Sequence, residues 1–509
     1  MNTIHWSEQS AYPVLALLQL LPLAGALLVG YLRERPYAAL LGRALALLVL
    51  LVAIDLYRLL DKGSASLQLA EYLPLLGPFA YHAAADGVTV LFVLLAALLT
   101  FLLSLYTAAR QLEAPGLLLA VILLLEAVLL SLLVSTNLLW FVLASALELG
   151  LAGYLLWRWA TTPERGMALL RFYQFQGTGL LLLLLGTLML AWHYADTAGH
   201  WSFELTELTQ ASFQGPLATL IFFLLFYGLA IRSPLFPFHG WLPLVAHRGN
   251  VAIAPAFLLG VKVGLYGMVR FVFPILPQAV VEWHGYAVAF AVAGVFYAAF
   301  LAFQQQNLRR LMAFAVVSHT SLAVIGLFAL HKSALQGALL LAVNFGLAAT
   351  AMLFITGFVY SRTNTTVLSR LGGLFDRIPF LAITFLASGL AIIGMPGTPG
   401  YDAAHLVLEA SIEEFGALLT VAAAVGNVAA AGFLLYAFQR AFLAPAPEGS
   451  ESSSVERATS MELLVAVLVL AVLLGTGFYS EPWMALVDAP LQALGAQFDS
   501  FAPLSPEVN

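Results

Sequence analysis

Apolar runs of about twenty residues, the length an α-helix needs to cross a hydrocarbon core of roughly 30 Å, recur along almost the whole chain. They lie near residues 12–32, 37–60, 84–107, 116–135, 137–159, 169–194, 215–248, 252–275, 282–303, 308–330, 334–361, 379–415, 416–443 and 460–480. Lipid offers backbone N–H and C=O groups no partner, so repeated runs of this length fold as helices packed side by side. The fold class read from the sequence is therefore an all-α polytopic membrane protein of about 14 transmembrane helices. With 62% hydrophobic residues, 9% charged residues and a mean hydropathy of +0.94, the 509 residues could not cover a soluble globule with polar surface.

The net charge of -6 is spread over connections and gives no basic face for nucleic acid. Cysteine is absent, which excludes disulfides, thiolate catalysis, iron–sulfur ligation and cysteine zinc sites. The opening MNTIHWSEQSAY lacks the basic segment of a cleaved signal, so the first apolar run reads as a span. Arginines crowd alternate connections: Arg33, Arg35 and Arg43, then Arg110, Arg158, Arg165 and Arg171, Arg248, Arg309 and Arg310, Arg362, Arg370 and Arg377, and Arg440 and Arg457. The other connections are assigned only Arg58, Lys62, Arg270 and Lys332. The positive-inside rule then places both termini on the non-cytoplasmic side of a bacterial inner membrane.

Two runs are interrupted. In LAIRSPLFPFHGWLP, Arg232 ends an apolar stretch that Pro234, Pro237 and Pro243 then break, and Lys262 lies about ten residues into the next run, near mid-membrane depth. The twelfth run breaks at GMPGTPGYDAAH, about five spans later. Paired discontinuous helices point to an internal repeat with a site near the midplane, although Pro and Gly are also common in membrane helices generally. Charge in hydrocarbon costs roughly 2.5–3.5 kcal/mol per residue on insertion scales, so buried cations of this kind mark ion paths by default.

The runs RSPLFPFHGWLP, QNLRRLMAFAVVSH, QGALLLAVNFG and LGGLFDRIPF…GMPGTPG occur in an order that resembles the antiporter-like subunits of respiratory complex I, membrane-bound hydrogenases and Mrp antiporters, most closely the middle such subunit of complex I. The resemblance covers roughly Glu126 to Phe442. It implies an N-terminal segment 1–115, two inverted five-helix repeats at 116–275 and 282–443 (spans 4–8 and 9–13, with helices 7 and 12 broken), and a C-terminal span and polar tail at 444–509. It also implies a proton path of buried ionisable residues at mid-membrane.

Lys262 matches the family's central lysine. A lysine deprived of water can take up and release a proton as a neighbouring charge comes and goes. His319 matches a family histidine able to relay protons, and reads equally as a satisfied core histidine. His239 and His247 flank the break and read as wetted groups at the mouth of the path rather than metal ligands, lacking a third ligand at suitable spacing. Arg232 stands where the family has a lysine, and an arginine biases an ion pair without giving up its proton. Its expected partner, Glu148, aligns two residues late, about 200° around a helix, so a π-bulge, a shifted alignment or a rewired pair are all open.

Asn344 or Phe345 replaces a relay histidine, and Ala404 replaces a charge. Asp402, His405 and Glu409 share one helix face and read as substitutes, or alternatively as an exposed re-entrant loop. Glu126, a lone acid in LLLEAVLLS, reads as part of the path, as a hydrogen-bonded acid, or as a subunit contact.

No nucleotide or dinucleotide fingerprint and no defensible haem ligand pair occurs, so no cofactor, metal or bond-making chemistry is assigned to this chain itself. Three functions fit. One is a proton- or sodium-translocating subunit of a redox complex such as an NADH:quinone oxidoreductase. The second is the membrane subunit of an inorganic-carbon uptake complex, with a peripheral zinc-containing partner. The third is a non-conducting anchor.

Overall fold

The computed structural model describes residues 3–76, 79–446 and 456–501. Among them, thirteen helices are long and apolar enough to cross a membrane. The fourteenth is the interrupted one: Pro379–Ile392 ends, and a second helix begins at Pro399. The helix Pro399–Phe438 is itself divided at Gly416, whose φ of 78° lies in the left-handed region, so its first part completes the twelfth span and its second part is the thirteenth. The chain is thus an integral membrane protein of mostly helical fold.

Burial ranks the spans. Those at Ile253–Ile275 and Leu308–Leu327 are 94% buried and form the centre, together with Lys332–Thr363, while the first, second and last spans are peripheral. Close backbone approach draws the eighth and eleventh spans together. A Cβ on Gly346 would stand 2.0 Å from the Gly260 carbonyl oxygen, a contact no side chain can make.

Matching caps occur at the starts of the fifth and tenth spans. Asn137 accepts from the Trp140 amide and donates to Glu204, with the Leu138 amide bonded to the Phe203 carbonyl. Asn307 accepts from the Arg309 amide and donates to Thr366, with the Leu308 amide bonded to the Thr366 carbonyl. Both asparagines also form an isolated β-bridge to the later segment.

Three features differ from the sequence reading. The connection between the second and third spans carries strands β2 (Leu67–Leu76) and β3 (Phe79–Ala85), paired antiparallel, with β1 (Thr3–His5) parallel to β2. Hydropathy windows tuned to helices pass over such a short hairpin. The tail is more than polar: Glu481–Asp499 is a helix burying Leu486, Val487, Leu491, Leu494 and Phe498. Arg270 is not a connection residue. It sits inside the eighth span on a π-helical turn, Met268–Val272, and donates two bonds to Asp86, at 2.9 and 2.7 Å. Asp86 also caps the third span through the Thr89 amide, so one carboxylate anchors the hairpin's end, a helix start and a buried cation.

The packing predicts opposite effects for two glycines. Gly346→Ala should lower stability by about 1–3 kcal/mol, because the added methyl overpacks the central contact. Gly177 faces open space within a helix, so Gly177→Ala should be neutral or stabilising by up to about 1 kcal/mol. Thermal unfolding of the purified variants in detergent checks both.

Candidate functional site

The first half of the seventh span, Gly215–Arg232, ends because Pro234 cannot continue its hydrogen bonding. Arg232 occupies the final turn, where the negative end of the helix dipole favours a cation. Its Nη2 contacts Glu148 Oε2, and both side chains are buried. Arg232 and Glu148 therefore meet despite the two-residue offset, and they do so within an unbroken α-helix at Leu138–Arg158 rather than through a π-bulge. Around the pair, Arg232 Nε and Nη1, Ser145 Oγ and Ser233 Oγ are buried with no protein partner. At the break, the Trp241 indole donates to the Ile231 carbonyl at 3.3 Å and takes up one carbonyl freed by the lost helix turn.

Lys262 lies one packing layer away. The eighth span is interrupted at Lys262 as well, whose φ of 53° is left-handed and uncommon for a residue with a side chain. Gly264, just beyond it, presses on the seventh span: a Cβ there would stand 2.2 Å from both the Leu229 carbonyl oxygen and Ser233 Oγ. The residue following Arg232 is thus in contact with the turn that carries Lys262. The Lys262 ammonium is buried, donates to Thr320 Oγ1 at 2.7 Å and lies 4.6 Å from the centre of the Phe345 ring. Among the described residues it has no carboxylate partner. A cation over an aromatic face is held by the ring quadrupole, a weaker grip than an ion pair.

His319 stacks on the same Phe345 ring, at 5.2 Å between centres, and both its nitrogens are buried without a protein partner. Phe345, read from the sequence only as one candidate replacement for a relay histidine, and Thr320, not singled out at all, are the two side chains that hold Lys262. Thr320 had a signal, since it follows His319 directly. Asn344 serves the backbone instead of a relay, its Nδ2 donating to the Ala391 carbonyl at 2.8 Å, and Asn427 likewise serves the Ile393 carbonyl at 2.9 Å. The two asparagines satisfy the broken end of the twelfth span, leaving Asn344 Oδ1 buried and unpartnered.

The remaining candidates are dispersed. Asp402 accepts from Ser480 at 2.5 Å and lines an apolar cavity of about 110 Å³ with Asn344, Leu95 and Trp483. His405 and Glu409 instead point outward, 3.8 Å apart and mostly exposed, so the structure separates them from Asp402 and from the central histidine. Glu126 is fully buried in the fourth span with neither oxygen hydrogen-bonded. His239 packs against Phe236, Tyr297 and Phe314 and is buried rather than wetted, whereas His247 is half-buried near the end of the second half-helix. No three His, Asp or Glu side chains among the described residues converge on a possible metal position.

Comparison with known proteins places this geometry in context. Residues 135–429 match the family described as NADH:quinone oxidoreductase/Mrp antiporter, TM. NAD(P)H-quinone oxidoreductase chain 4 1 of Synechococcus sp. (strain JA-3-3Ab) is 30% identical over 510 residues, covering 98% of this chain and 95% of that one. NADH-quinone oxidoreductase subunit M of Escherichia coli (strain K12) is 30% identical over 326 residues, 64% of this chain and 63% of the relative. Among solved structures, a chain of respiratory complex I from Thermus thermophilus superposes with a TM-score of 0.84 at 27% identity, covering 95% of this chain and 99% of that chain. A chain of the Mrp complex from Dietzia sp. shares the fold, with a TM-score of 0.84 at 18% identity over 96% of this chain and 99% of that chain. The chain therefore belongs to the transmembrane family of NADH:quinone oxidoreductase and Mrp antiporter subunits.

Proposed function

We propose that this chain moves protons across the membrane through Lys262 and exchanges the free energy of that movement with partner subunits of a membrane complex. The observation that carries the reading is Lys262 itself: a buried ammonium held at a helix break by a hydroxyl and an aromatic ring, with no carboxylate among the described residues to fix its charge. Such a group keeps its proton only as long as nothing nearby disfavours the charge. The Glu148–Arg232 pair is the natural modulator. While the pair is closed, the arginine's field is compensated; when Glu148 withdraws, an uncompensated cation stands beside the packing layer of Lys262 and favours loss of its proton.

Buried polar groups without a protein partner among the described residues, at Ser145, Ser233 and His319, are of the kind that bind ordered water, and they flank this centre. His319 would receive the proton beyond Lys262, with Asp402 as the outer acceptor and Glu126 and His247 as peripheral members. One charge crossing 100 mV carries about 2.3 kcal/mol, enough to bias a coupled step.

The matched asparagine caps at 137 and 307 support reading residues 116–275 and 282–443 as repeats. Five spans, an odd number, separate the caps, which supports opposite faces for the two caps and an inverted relation between the repeats. Segments 1–115 and 444–509 flank them. Arginine placement supports termini facing away from the cytoplasm of a bacterial inner membrane, all the more because Arg270 leaves the opposing connections. Relatives named as quinone oxidoreductase subunits support a partner of that class, a set of membrane subunits.

Lys262→Ala should leave assembly intact and abolish potential-driven proton uptake, measured with an internal pH dye in vesicles containing the complex isolated through a tag on this chain. Uptake at the wild-type rate would remove Lys262 from the path. The ion pair makes a separate prediction. Stranding one member of a buried pair costs about 3–5 kcal/mol, so Glu148→Gln alone should impair stability or flux more than Glu148→Gln combined with Arg232→Gln. Additive effects in that cycle would show that the two charges act independently.

A further inference from the structure

Between the sixth and seventh spans an open groove of about 530 Å³ runs along the surface, with Arg171 at one end and Phe175, Leu182, Tyr227, Ile231 and Phe238 along its walls. The sixth span, Arg165–Ala198, has 34 residues and is about 51 Å long at roughly 1.5 Å per residue, some 20 Å longer than a hydrocarbon core of about 30 Å. If that excess is shared between its ends, Arg171, in the second turn, stands at the boundary between hydrocarbon and headgroups. From Arg171 to Leu182 the groove then descends about 16 Å, the depth of one leaflet.

The charge at its mouth is uncommitted. Arg158 pairs with Glu113, Arg248 pairs with Glu164, and Arg165 donates to the Trp157 carbonyl and covers the Trp157 ring. Arg171 is exposed and, among the described residues, has no hydrogen bond or ion pair. Thr178 Oγ1 is already spent on the Gln174 carbonyl and the Tyr227 hydroxyl on Tyr286, so below Arg171 and the Gln174 amide the walls offer an apolar guest mainly contact surface.

We propose that this groove holds one acyl chain of an anionic glycerophospholipid, with the lipid phosphate on the Arg171 guanidinium. A positive group at headgroup depth, above an apolar slot one leaflet deep, matches both parts of such a molecule. Inorganic phosphate would satisfy only the first part. The inner end of the chain would rest on Ile231 and Phe238, on either side of the break next to Arg232, where Phe175 also closes over Gly240. The lipid is thus part of the wall that holds the broken span in place.

Because this chain has no cysteine, Thr178→Cys is its one thiol, and the complex without that substitution, labelled in parallel, gives the background from partner subunits. A bimane label on Thr178→Cys, in nanodiscs of phosphatidylcholine, should be quenched about fivefold more effectively by a small fraction of brominated phosphatidylglycerol than by brominated phosphatidylcholine, the worth of one basic residue near an anionic headgroup. Arg171→Gln should erase that preference, Leu182→Phe should reduce quenching by both lipids by filling the slot, and Arg165→Gln should change neither. Equal quenching by the two lipids, a preference that survives Arg171→Gln, or displacement by inorganic phosphate would overturn the proposal. So would protection from both lipids, which would mean that a protein partner covers the groove.

Discussion

The cost of an unpaired charge away from water governs this structure more than any other term. Ionisable side chains in the central spans are few, and each is handled differently. Arg270 is locked to Asp86 by two bonds, an arrangement suited to permanence. Arg232 is paired with Glu148 but keeps two nitrogens free of protein partners, an arrangement suited to change. Lys262 has no counter-ion among the described residues and leans on Thr320 and Phe345. The gradation from fixed pair, to loose pair, to lone cation runs through two helices.

Backbone shape makes the gradation possible. Breaks in the seventh and twelfth spans expose carbonyl groups that a lipid-facing helix could not leave unpaired, and side chains of Trp241, Asn344 and Asn427 take up three of them. Gly264 and Gly346 let the eighth span lie directly on the seventh and eleventh, so that Ser233, next to Arg232, meets the turn that carries Lys262 and Phe345 meets Lys262 itself. Apolar helices with intact backbones would pack as well but would bring no polar group to the centre of the bundle.

Much of this was legible in the sequence, and the parts that were not share a cause. Span positions, the proline breaks and the burial of Lys262 within a span follow from local patterns, because length, hydropathy and missing N–H donors act within a few residues. The break at Lys262 itself was not anticipated: glycines at 260 and 264 flank it, but no proline announces it. Cross-chain pairing was harder still. Arg270 and Asp86 are far apart in the sequence, and a window centred on either sees only an isolated charge at the edge of an apolar run. Helical spacing grouped Asp402 with His405 and Glu409, yet a face shared by spacing is broad enough that Ser480 captures the first while the other two turn outward. Asn344, where a relay group was expected, proved to be occupied in mending a helix end.

The account depends on Lys262 giving up its proton rather than serving as a fixed charge. Lys262→Arg separates these roles, because arginine preserves the charge and much of the side-chain volume but stays protonated. Potential-driven proton flux through vesicles containing the complex is the measurement. The account predicts that the arginine variant assembles normally and carries no flux above the background of empty vesicles. Flux at the wild-type rate with arginine at this position would contradict it, and would reduce Lys262 to an electrostatic support for a path that runs elsewhere.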